Sequence, residues 1–369
     1  MNRIGGRRHR VLRDRRGQVV AGLVVAAVTL AGCAGTDSSE GGASSDSSTP
    51  SAPTTVAPTG SEDGAEGCTA AVDAGADKLG TYAVGREART YVDTGRGTGA
   101  DPDRFMAATP DRTLAVSVLY PAAGAPAEPG VFAQDAPPLA AADGGGFPLV
   151  VYSHGVWSDG TERNDTLARW ASAGYVVIAP TYPLSSGPGA KITDLPNQPG
   201  DLVFVTESFS DQANGPTDTL HGLVDTDCLA LAGHSLGGAT TLATAFDPCC
   251  GQLDVRAVVD IAGVLITVTP DAQLADAAPI PTLIVHGDED PLVPLAMGQR
   301  AFDELQGPRW FLIFTGGDHN SMFLPPESAL FDTSVLAFLD SELKDEPAAL
   351  DQLPTTVTAA GAAILVVRT

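Results

Sequence analysis

A serine between glycines is the part of this sequence whose residue types and spacing predict a covalent reaction. Residues 233–237 read Gly-His-Ser-Leu-Gly, with an apolar run at 228–232 before them and a helix-like segment at 236–246 after them. A serine on a sharp turn from strand to helix is exposed, and the turn presents backbone N–H groups to a developing oxyanion. This context predicts that Ser235 is the nucleophile of an acyl-transfer reaction.

A serine nucleophile needs a base, and the base needs an acid to orient it. His319 follows the predicted strand 310–314, which is the position of the base when the chain order is Ser, Asp, His. The other histidines lie in the N-terminal leader, in other motifs, at a strand end or ahead of a strand: His9, His154, His221, His234 and His286. His319 is therefore the predicted base.

Two aspartates are the main candidates for the acid. Asp290 lies in a Gly-x-x-Asp-x-x-Val-Pro sequence that begins at Gly287 and follows a predicted strand, and this spacing favours it. Asp288 is a minor alternative in the same loop. Asp260 ends the preceding predicted strand, a position that also suits an acid, so it stays open as the alternative.

The developing oxyanion needs two backbone donors near Ser235. One predicted donor is the N–H of Leu236, and the second is the N–H of Val156 in the turn after the predicted strand 147–153. The N–H of Trp157 is the alternative second donor. The Trp157 side chain is a candidate wall of the acyl pocket or a packing residue.

The segments that must position these residues alternate between buried strands and helices. The predicted strands are residues 82–92, 113–120, 147–153, 175–179, 228–232, 255–260, 281–286 and 310–314. The predicted helices are residues 161–173, 201–208, 236–246 and 333–343. This order predicts an α/β fold with a doubly wound, mostly parallel sheet and helices on both faces. The insertions 183–216 and 264–279 lack the length and apolar periodicity of a large lid, which predicts a fairly open site.

These motifs together resemble the α/β-hydrolase superfamily, and within it the bacterial esterases and lipases related to platelet-activating-factor acetylhydrolases, dienelactone-hydrolase-like enzymes and cutinase-like enzymes. The stretches that carry the resemblance lie at residues 82–85, 113–121, 150–155, 233–238, 286–294 and 316–319. The resemblance implies hydrolysis of a small-molecule or lipid ester without cofactor or metal. It also keeps Asp260 open, because acetylhydrolases of this group can take their acid from the earlier strand. Cutinase-like enzymes carry Tyr or Phe where Val156 stands, so polyester specificity is not expected.

The N-terminus has the pattern of an export signal. Seven arginines within residues 1–16 precede an apolar run at 19–32 that is too short to span a bilayer. The run ends in Leu-Ala-Gly-Cys at 30–33, which resembles the lipobox of bacterial lipoproteins. We therefore expect lipid attachment to Cys33 and export to the extracytoplasmic face of a bacterial cell membrane. An ordinary signal peptide cut nearby is the alternative.

The strong negative charge of the chain argues against some classes of binding partner. Loss of residues 1–32 removes seven arginines and one aspartate, which takes the formal net charge from −24 to −30. A body this acidic repels phosphate backbones and anionic headgroups, so nucleic acid is not an expected partner. Contact with the membrane is expected through the lipid alone.

The exported chain keeps four cysteines beyond Cys33, and an even number in an exported protein predicts disulfides. The strand from Cys228 and the helix after Ser235 have similar estimated lengths, at about 3.3 Å per strand residue and about 1.5 Å per helical residue. We therefore expect a bridge from Cys228 to Cys249 or Cys250, with Cys68 bonded to the other. A metal site is the weaker alternative.

The predicted domains are a signal peptide with lipobox (1–32), a lipidated cysteine with a disordered tether rich in Ser, Thr, Pro and Gly (33–67), a hydrolase domain (68–345) and a C-terminal tail (346–369). The predicted function is a carboxylic-ester hydrolase with Ser235, His319 and Asp290 as nucleophile, base and orienting acid. The alternatives are an acyltransferase on the same fold, a non-catalytic binding lipoprotein and, less favoured, a peptidase.

Overall fold

The structure is a computed structural model. It describes residues 68, 79–126, 128, 130–139, 145–250, 253–269 and 278–369. Residues 66–369 form one compact unit that holds every described element. The predicted signal peptide, Cys33 and the predicted tether lie outside the described residues. Among the described residues, no helix combines the length and the apolarity needed to cross a bilayer.

A ten-stranded sheet forms the centre of this unit. Its strands are β1 (Ala83–Asp93), β2 (Arg112–Ala122), β3 (Ala133–Gln134), β4 (Phe147–Ser153), β5 (Val176–Thr181), β6 (Val224–His234), β7 (Val255–Ile261), β8 (Thr282–Gly287), β9 (Arg309–Phe314) and β10 (Ala363–Arg368). Their order across the sheet is β10-β9-β8-β7-β6-β4-β5-β2-β1-β3. The six strands from β9 to β5 in this order are parallel, while β10, β2 and β1 each pair antiparallel with a neighbour. The carboxyl ends of the parallel strands therefore meet at one edge.

Helices cover both faces of the sheet. They are α1 (Asn164–Ser172), α2 (Gln198–Ala213), α3 (Leu236–Phe246), α4 (Leu295–Glu304), α5 (Glu327–Lys344) and α6 (Ala348–Ala360). Side chains of α1, α5 and α6 belong to one apolar core, and side chains of α2, α3 and α4 belong to the other. The predicted α/β fold with a mostly parallel, doubly wound sheet is confirmed.

The alternation of side chains along β6 shows how the two cores are separated. Ala230 and Ala232 lie in the core with α1 and α5, whereas Leu229 and Leu231 lie in the core with α3. Successive side chains of a strand point to opposite faces, so each face receives every second residue. Strand β6 is therefore buried on both faces, with alanines on one face and leucines on the other.

The C-terminal segment extends the sheet. Residues 346–369, the tail of the predicted domain division, contain α6 and β10, neither of which the sequence pattern predicted. Strand β10 pairs antiparallel with β9, with Ile364 opposite Ile313. Helix α6 packs on α5 through Leu350, Leu353 and Val357. The tail is therefore part of the same sheet and core as the strand that precedes His319.

The disulfide pairing differs from the sequence-based expectation. Cys68 is bonded to Cys228, with Cα atoms 5.3 Å apart, and Cys249 is bonded to Cys250. The predicted bridge from Cys228 to Cys249 or Cys250 is wrong. The length estimate ignored side-chain direction. Cys228 lies two residues before Ala230 and therefore faces the same side of β6, opposite α3, and Cys68 packs against the core on that side.

We predict that peptide mapping without reduction links Cys68 to Cys228. A bridge across 160 residues of sequence constrains the unfolded chain strongly, so Cys68→Ser should lower the free energy of unfolding by about 2–5 kcal/mol. Cys249→Ser is the control, because adjacent residues close almost no loop and a much smaller loss is expected. Recovery of a peptide joining Cys228 to Cys249 or Cys250 would contradict the assignment.

Candidate active site

Ser235 occupies the turn between β6 and α3. Its backbone has φ 59° and ψ −119°, a strained conformation for a residue with a side chain. A Cβ at Gly237 would lie 2.0 Å from the carbonyl oxygen of Ser153, and a Cβ at Gly233 would lie 2.2 Å from the carbonyl oxygen of Gly237. The Ser235 N–H donates to the carbonyl of Ile261 at 2.8 Å. The turn therefore requires both glycines and fixes the serine at the edge of the sheet.

Asp290 and His319 are joined by a hydrogen bond at the same edge. Asp290 follows β8 and His319 follows β9, and His319 Nδ1 lies 2.6 Å from Asp290 Oδ2. Asp290 Oδ1 accepts the N–H groups of Leu292 at 2.8 Å and Val293 at 2.9 Å. Burial opposes ionisation of Asp290, but the hydrogen bonds from His319 and the loop outweigh it, and the pKa of Asp290 lies below its usual range. The carboxylate holds the proton of His319 on Nδ1, which leaves Nε2 for a nucleophile.

One cleft brings the nucleophile and the base together. It has a volume of about 310 Å³. Its lining residues are Gly155, Val156, Trp157, Ser158, Glu162, Arg163, His234, Ser235, Leu292, His319 and Asn320. The structure thus places Ser235 and His319 in a shared cleft, with Asp290 buried behind the histidine. This arrangement can support nucleophilic attack with general-base assistance.

Two further histidines support this group, and the sequence pattern assigned neither of them a role. The ring of His234 lies 4.7 Å from the ring of His319, and its Nε2 is 3.0 Å from the carbonyl oxygen of His319. His286 Nε2 lies 2.8 Å from the carbonyl oxygen of Val293, in the loop that holds Asp290. Burial lowers the pKa of both histidines, so each is neutral and donates a proton from Nε2 to its carbonyl. Each histidine fixes a loop of the site through a hydrogen bond to a backbone carbonyl. No sequence motif predicts such a bond.

The turn after β4 lies beside Ser235. The N–H of Tyr182 donates to His154 Nε2 at 3.0 Å, and His154 Nδ1 lies 2.7 Å from the carbonyl oxygen of Gly155. Burial lowers the pKa of His154, so the ring is neutral with its proton on Nδ1. A Cβ at Gly155 would approach the Cβ of Ser235 to 3.3 Å. The buried histidine therefore shapes the backbone next to the serine.

The predicted oxyanion donors differ in availability. Leu236 is the first residue of α3, so its N–H has no acceptor within the helix. Val156 lines the cleft, and no hydrogen bond among the described residues engages its N–H. The alternative donor, the N–H of Trp157, is bonded to the carbonyl of Ser185 at 2.9 Å. Among the described residues, the N–H groups of Val156 and Leu236 are therefore without an acceptor, whereas the N–H of Trp157 is occupied.

The alternative acid, Asp260, is fully buried at the end of β7. Neither carboxyl oxygen makes a well-formed hydrogen bond among the described residues, and none joins it to His319. A Cβ at Gly238 or Gly263 would lie 2.5 Å or 2.1 Å from Oδ1, so both glycines leave room for the carboxyl. Burial raises the pKa of Asp260 to about 7, with only the backbone of Gly263 opposing the effect.

Asp288, the minor alternative, caps a loop. Its Oδ1 accepts the N–H of Gly316 at 2.6 Å, which links the loop after β8 to the loop after β9. Of the three candidate aspartates, the structure brings Asp290 into contact with His319. Within the described residues, no cluster of three or more His, Cys, Asp or Glu side chains could hold a metal ion.

The chain resembles known proteins in part of its sequence and in its fold. A family model described as chlorophyllase matches residues 136–273, which include Val156 and Ser235 and end before Asp290 and His319. A solved structure, the ferulic acid esterase from Streptomyces cinnamoneus, superposes with a TM-score of 0.57 at 22% identity and covers 78% of this chain and 97% of its own. The chain has the α/β-hydrolase fold. The structural likeness at this identity concerns the fold, with its sheet and the edge where the cleft lies.

Curated relatives match part of this chain. Dipeptidyl-peptidase 5 of Aspergillus fumigatus is 28% identical over an alignment of 230 positions, and the match covers 50% of this chain and 30% of the relative. The uncharacterized protein YfhR of Salmonella typhi is 27% identical over an alignment of 174 positions, and the match covers 40% of this chain and 57% of the relative. The chain therefore spans less than two thirds of each of these relatives.

The buried carboxyl of Asp260 predicts a pH dependence of stability. Its pKa of about 7 lies above that of an unfolded aspartate, so the folded state holds a proton that the unfolded state releases. Relative to the Asp260→Asn variant, the wild type should lose stability as the pH rises from about 4 to about 7, by on the order of 1.4 kcal/mol per pH unit. Thermal unfolding of both proteins at pH 5 and pH 8 measures this difference. If the stabilities of the wild type and of Asp260→Asn changed equally between pH 5 and pH 8, the prediction would be wrong, and the Asp260 carboxylate would have a partner that stabilises its charge.

Proposed function

We propose that this protein is a serine hydrolase that cleaves carboxylic esters through an acyl-enzyme. The observation that carries the proposal is the 2.6 Å hydrogen bond between His319 and Asp290, in a cleft that also contains Ser235 on a strained turn. A half-buried serine that lines a cleft, a histidine and an ionised carboxylate in this chain order are the parts that acyl transfer needs. The fold neighbour from Streptomyces cinnamoneus is an esterase, which supports testing esters first.

In the proposed reaction, Ser235 Oγ attacks the carbonyl carbon of the ester. His319 Nε2 takes the hydroxyl proton, and the carbonyl oxygen becomes an oxyanion that accepts the N–H groups of Val156 and Leu236. The C–O bond to the alcohol then breaks, the alcohol leaves with the proton from His319, and the acyl group stays on Ser235. A water molecule repeats the attack on the acyl-enzyme and releases the acid.

Asp290 has an electrostatic role in this scheme. Its pKa lies below the usual range, so it is ionised at neutral pH. An ionised partner keeps the His319 proton on Nδ1 and stabilises the imidazolium that forms when Nε2 takes the serine proton. The carboxyl of Asp260 makes no hydrogen bond to His319 among the described residues, and its raised pKa disfavours the charge that this role needs.

Hydrolysis of a p-nitrophenyl ester series from acetate to palmitate tests the proposal and measures the preferred chain length. The wild type should release nitrophenol in a burst that matches the enzyme concentration when deacylation is slow, and mass spectrometry should find the acyl group on Ser235. The acid product is identified as well, because a new ester formed with an added alcohol would assign an acyltransferase. Release no faster than with the Ser235→Ala variant would overturn the proposal and favour a non-catalytic binding protein.

A peptidase is the second candidate function. The similarity to dipeptidyl-peptidase 5 favours it, although this chain spans 30% of that relative. Dipeptide p-nitroanilides test it in the same assay. An ester hydrolase should prefer the ester of a matched acyl group over its anilide, whereas a peptidase should cleave the dipeptide anilide at a rate comparable to the ester.

Anchoring through Cys33 remains a prediction from the sequence, because this residue lies outside the described part of the chain. The mature protein should begin at a lipid-bearing Cys33 and fractionate with bacterial membranes. Cys33→Ser should abolish the lipid signal in mass spectrometry and the membrane association, while Cys68→Ser should keep both. An unmodified N-terminus at another residue would contradict the prediction.

A further inference from the structure

Trp157 has an exposed side chain and an unfavourable backbone conformation that hydrogen bonds hold in place. Its side chain is 56% exposed, and its φ of 72° lies in the left-handed region that bulky residues rarely adopt. The backbone N–H donates to the carbonyl of Ser185 at 2.9 Å, and the indole Nε1–H donates to the carbonyl of Ala190 at 2.8 Å. A large aromatic ring is thus held at the surface by two hydrogen bonds, against its backbone preference. Strain of this kind concentrates at functional sites.

The ring stands at the cleft that contains Ser235 and His319. Leu292, which is 42% exposed, is the other large exposed apolar side chain of the same lining. The chain has three tryptophans, and the other two, Trp170 and Trp310, are buried in the core. Burial of an apolar core therefore does not explain the position of Trp157.

Core packing and loop bracing are the alternatives to a binding role. Packing is contradicted by the exposure. Bracing requires only the indole N–H, which ties the turn after β4 to Ala190, and it gives no reason for the ring to line the cleft. An aromatic ring face offers offset stacking to a flat group, and this interaction adds to the burial of apolar area.

We propose that Trp157 is the wall of a subsite for a planar aromatic group of the ester substrate. This inference deepens the proposed esterase function and rests on it. The aromatic group can belong to the acyl part or to the alcohol part of the ester, because both flank the carbonyl that Ser235 attacks. The substrate class is therefore an ester with an aromatic ring on one side of the scissile bond.

Matched ester pairs separate flatness from size. Methyl benzoate and methyl cyclohexanecarboxylate differ in the planarity of the acyl ring, and phenyl acetate and cyclohexyl acetate differ in the same way in the alcohol. Trp157→Phe keeps a flat ring, Trp157→Leu does not, and both lose the bond to Ala190. The ratio of kcat/KM between the members of a pair cancels general damage to the enzyme.

Trp157→Leu should lower the aromatic-to-cyclohexyl ratio of kcat/KM about 2- to 10-fold in one of the two pairs, and Trp157→Phe should preserve most of it. The affected pair identifies the acyl or the alcohol side. An unchanged ratio in both variants would overturn the proposal. An equal loss in Phe and Leu variants would also overturn it and assign Trp157 to bracing of the loop.

Binding without turnover separates this inference from the proposed function. In a Ser235→Ala background, the aromatic ester should quench the fluorescence of the exposed Trp157, while the cyclohexyl ester of the same pair quenches it much less. The Trp157→Leu version of this background should lose the response, since Trp170 and Trp310 are buried. Quenching by the aromatic ester with no turnover in the wild type would defeat the esterase proposal alone. Turnover in the wild type without quenching would defeat the aromatic subsite alone.

Discussion

Replacement of Ser235 or His319 by alanine should remove nearly all ester turnover and leave the fold intact. The serine and its base act as a unit, so each loss should be on the order of 10⁶-fold in kcat, and the double variant should be no worse than either single one. Both side chains line the cleft, so the fold should persist in each variant. Thermal unfolding should change little in Ser235→Ala, whereas His319→Ala should melt at a lower temperature because the buried Asp290 carboxylate loses its partner. Turnover of p-nitrophenyl acetate and circular dichroism melting measure the two effects.

Matched variants elsewhere in the chain control this experiment. Ser158→Ala removes a hydroxyl from the same cleft, and His221→Ala removes an exposed histidine that lies ahead of β6. Both should keep turnover within a few-fold of the wild type. A Ser235→Ala protein that retains more than about 1% of kcat would show that another group is the nucleophile.

The secondary structure was predictable where the local sequence of a segment marks both of its ends. Strand β4 and helix α3 have the predicted bounds, because a continuous apolar run and an elbow glycine mark their ends within the sequence. Helix α4 was not predicted: its buried residues Gly298, Ala301 and Phe302 recur at helical spacing, but one of them is a glycine in the interior of the helix. Strand β10 has half-exposed and exposed residues throughout, and its pairing with β9 is a contact between distant segments. Such contacts have no local pattern.

The disulfides show the same limit. Counting residues along β6 and α3 estimated how far Cys228 lies along the sheet. It did not determine the face to which the sulfur points, and Cys68 belongs to a segment whose path the sequence does not reveal. Pairing depends on direction as well as on distance, because a bridge needs Cβ atoms that point toward each other.

The candidate site was predictable as a set of residues and less so as a geometry. Ser235, Asp290 and His319 follow three different parallel strands, and strand ends at one edge of a sheet bring such residues together. The supporting bonds from His234 and His286 end on backbone carbonyls, which any residue possesses. The sequence therefore contains no spacing rule that would reveal them, and it could not show that Asp260 makes no hydrogen bond to His319 among the described residues.

The comparison of two aspartate variants should identify the orienting acid. Asp290→Asn should lower kcat by on the order of 10⁴-fold, because a neutral amide neither stabilises the imidazolium nor holds the His319 proton on Nδ1. Asp260→Asn should cost far less, since its carboxyl makes no hydrogen bond to His319 and holds a proton near neutral pH. The pair is matched, because each variant exchanges one buried carboxyl for an amide of the same shape.

Measurement at pH 6 and pH 8 sharpens this comparison. The pKa of Asp290 lies below its usual range, so its contribution to kcat should be present at both pH values, and the loss in Asp290→Asn should be similar at both. Asp260 changes its charge in this interval, so a catalytic role would make the effect of Asp260→Asn depend on pH. An inactive Asp260→Asn protein beside an Asp290→Asn protein that keeps most of its activity would place the acid at the end of β7. The 2.6 Å contact between His319 and Asp290 would then have only a structural role.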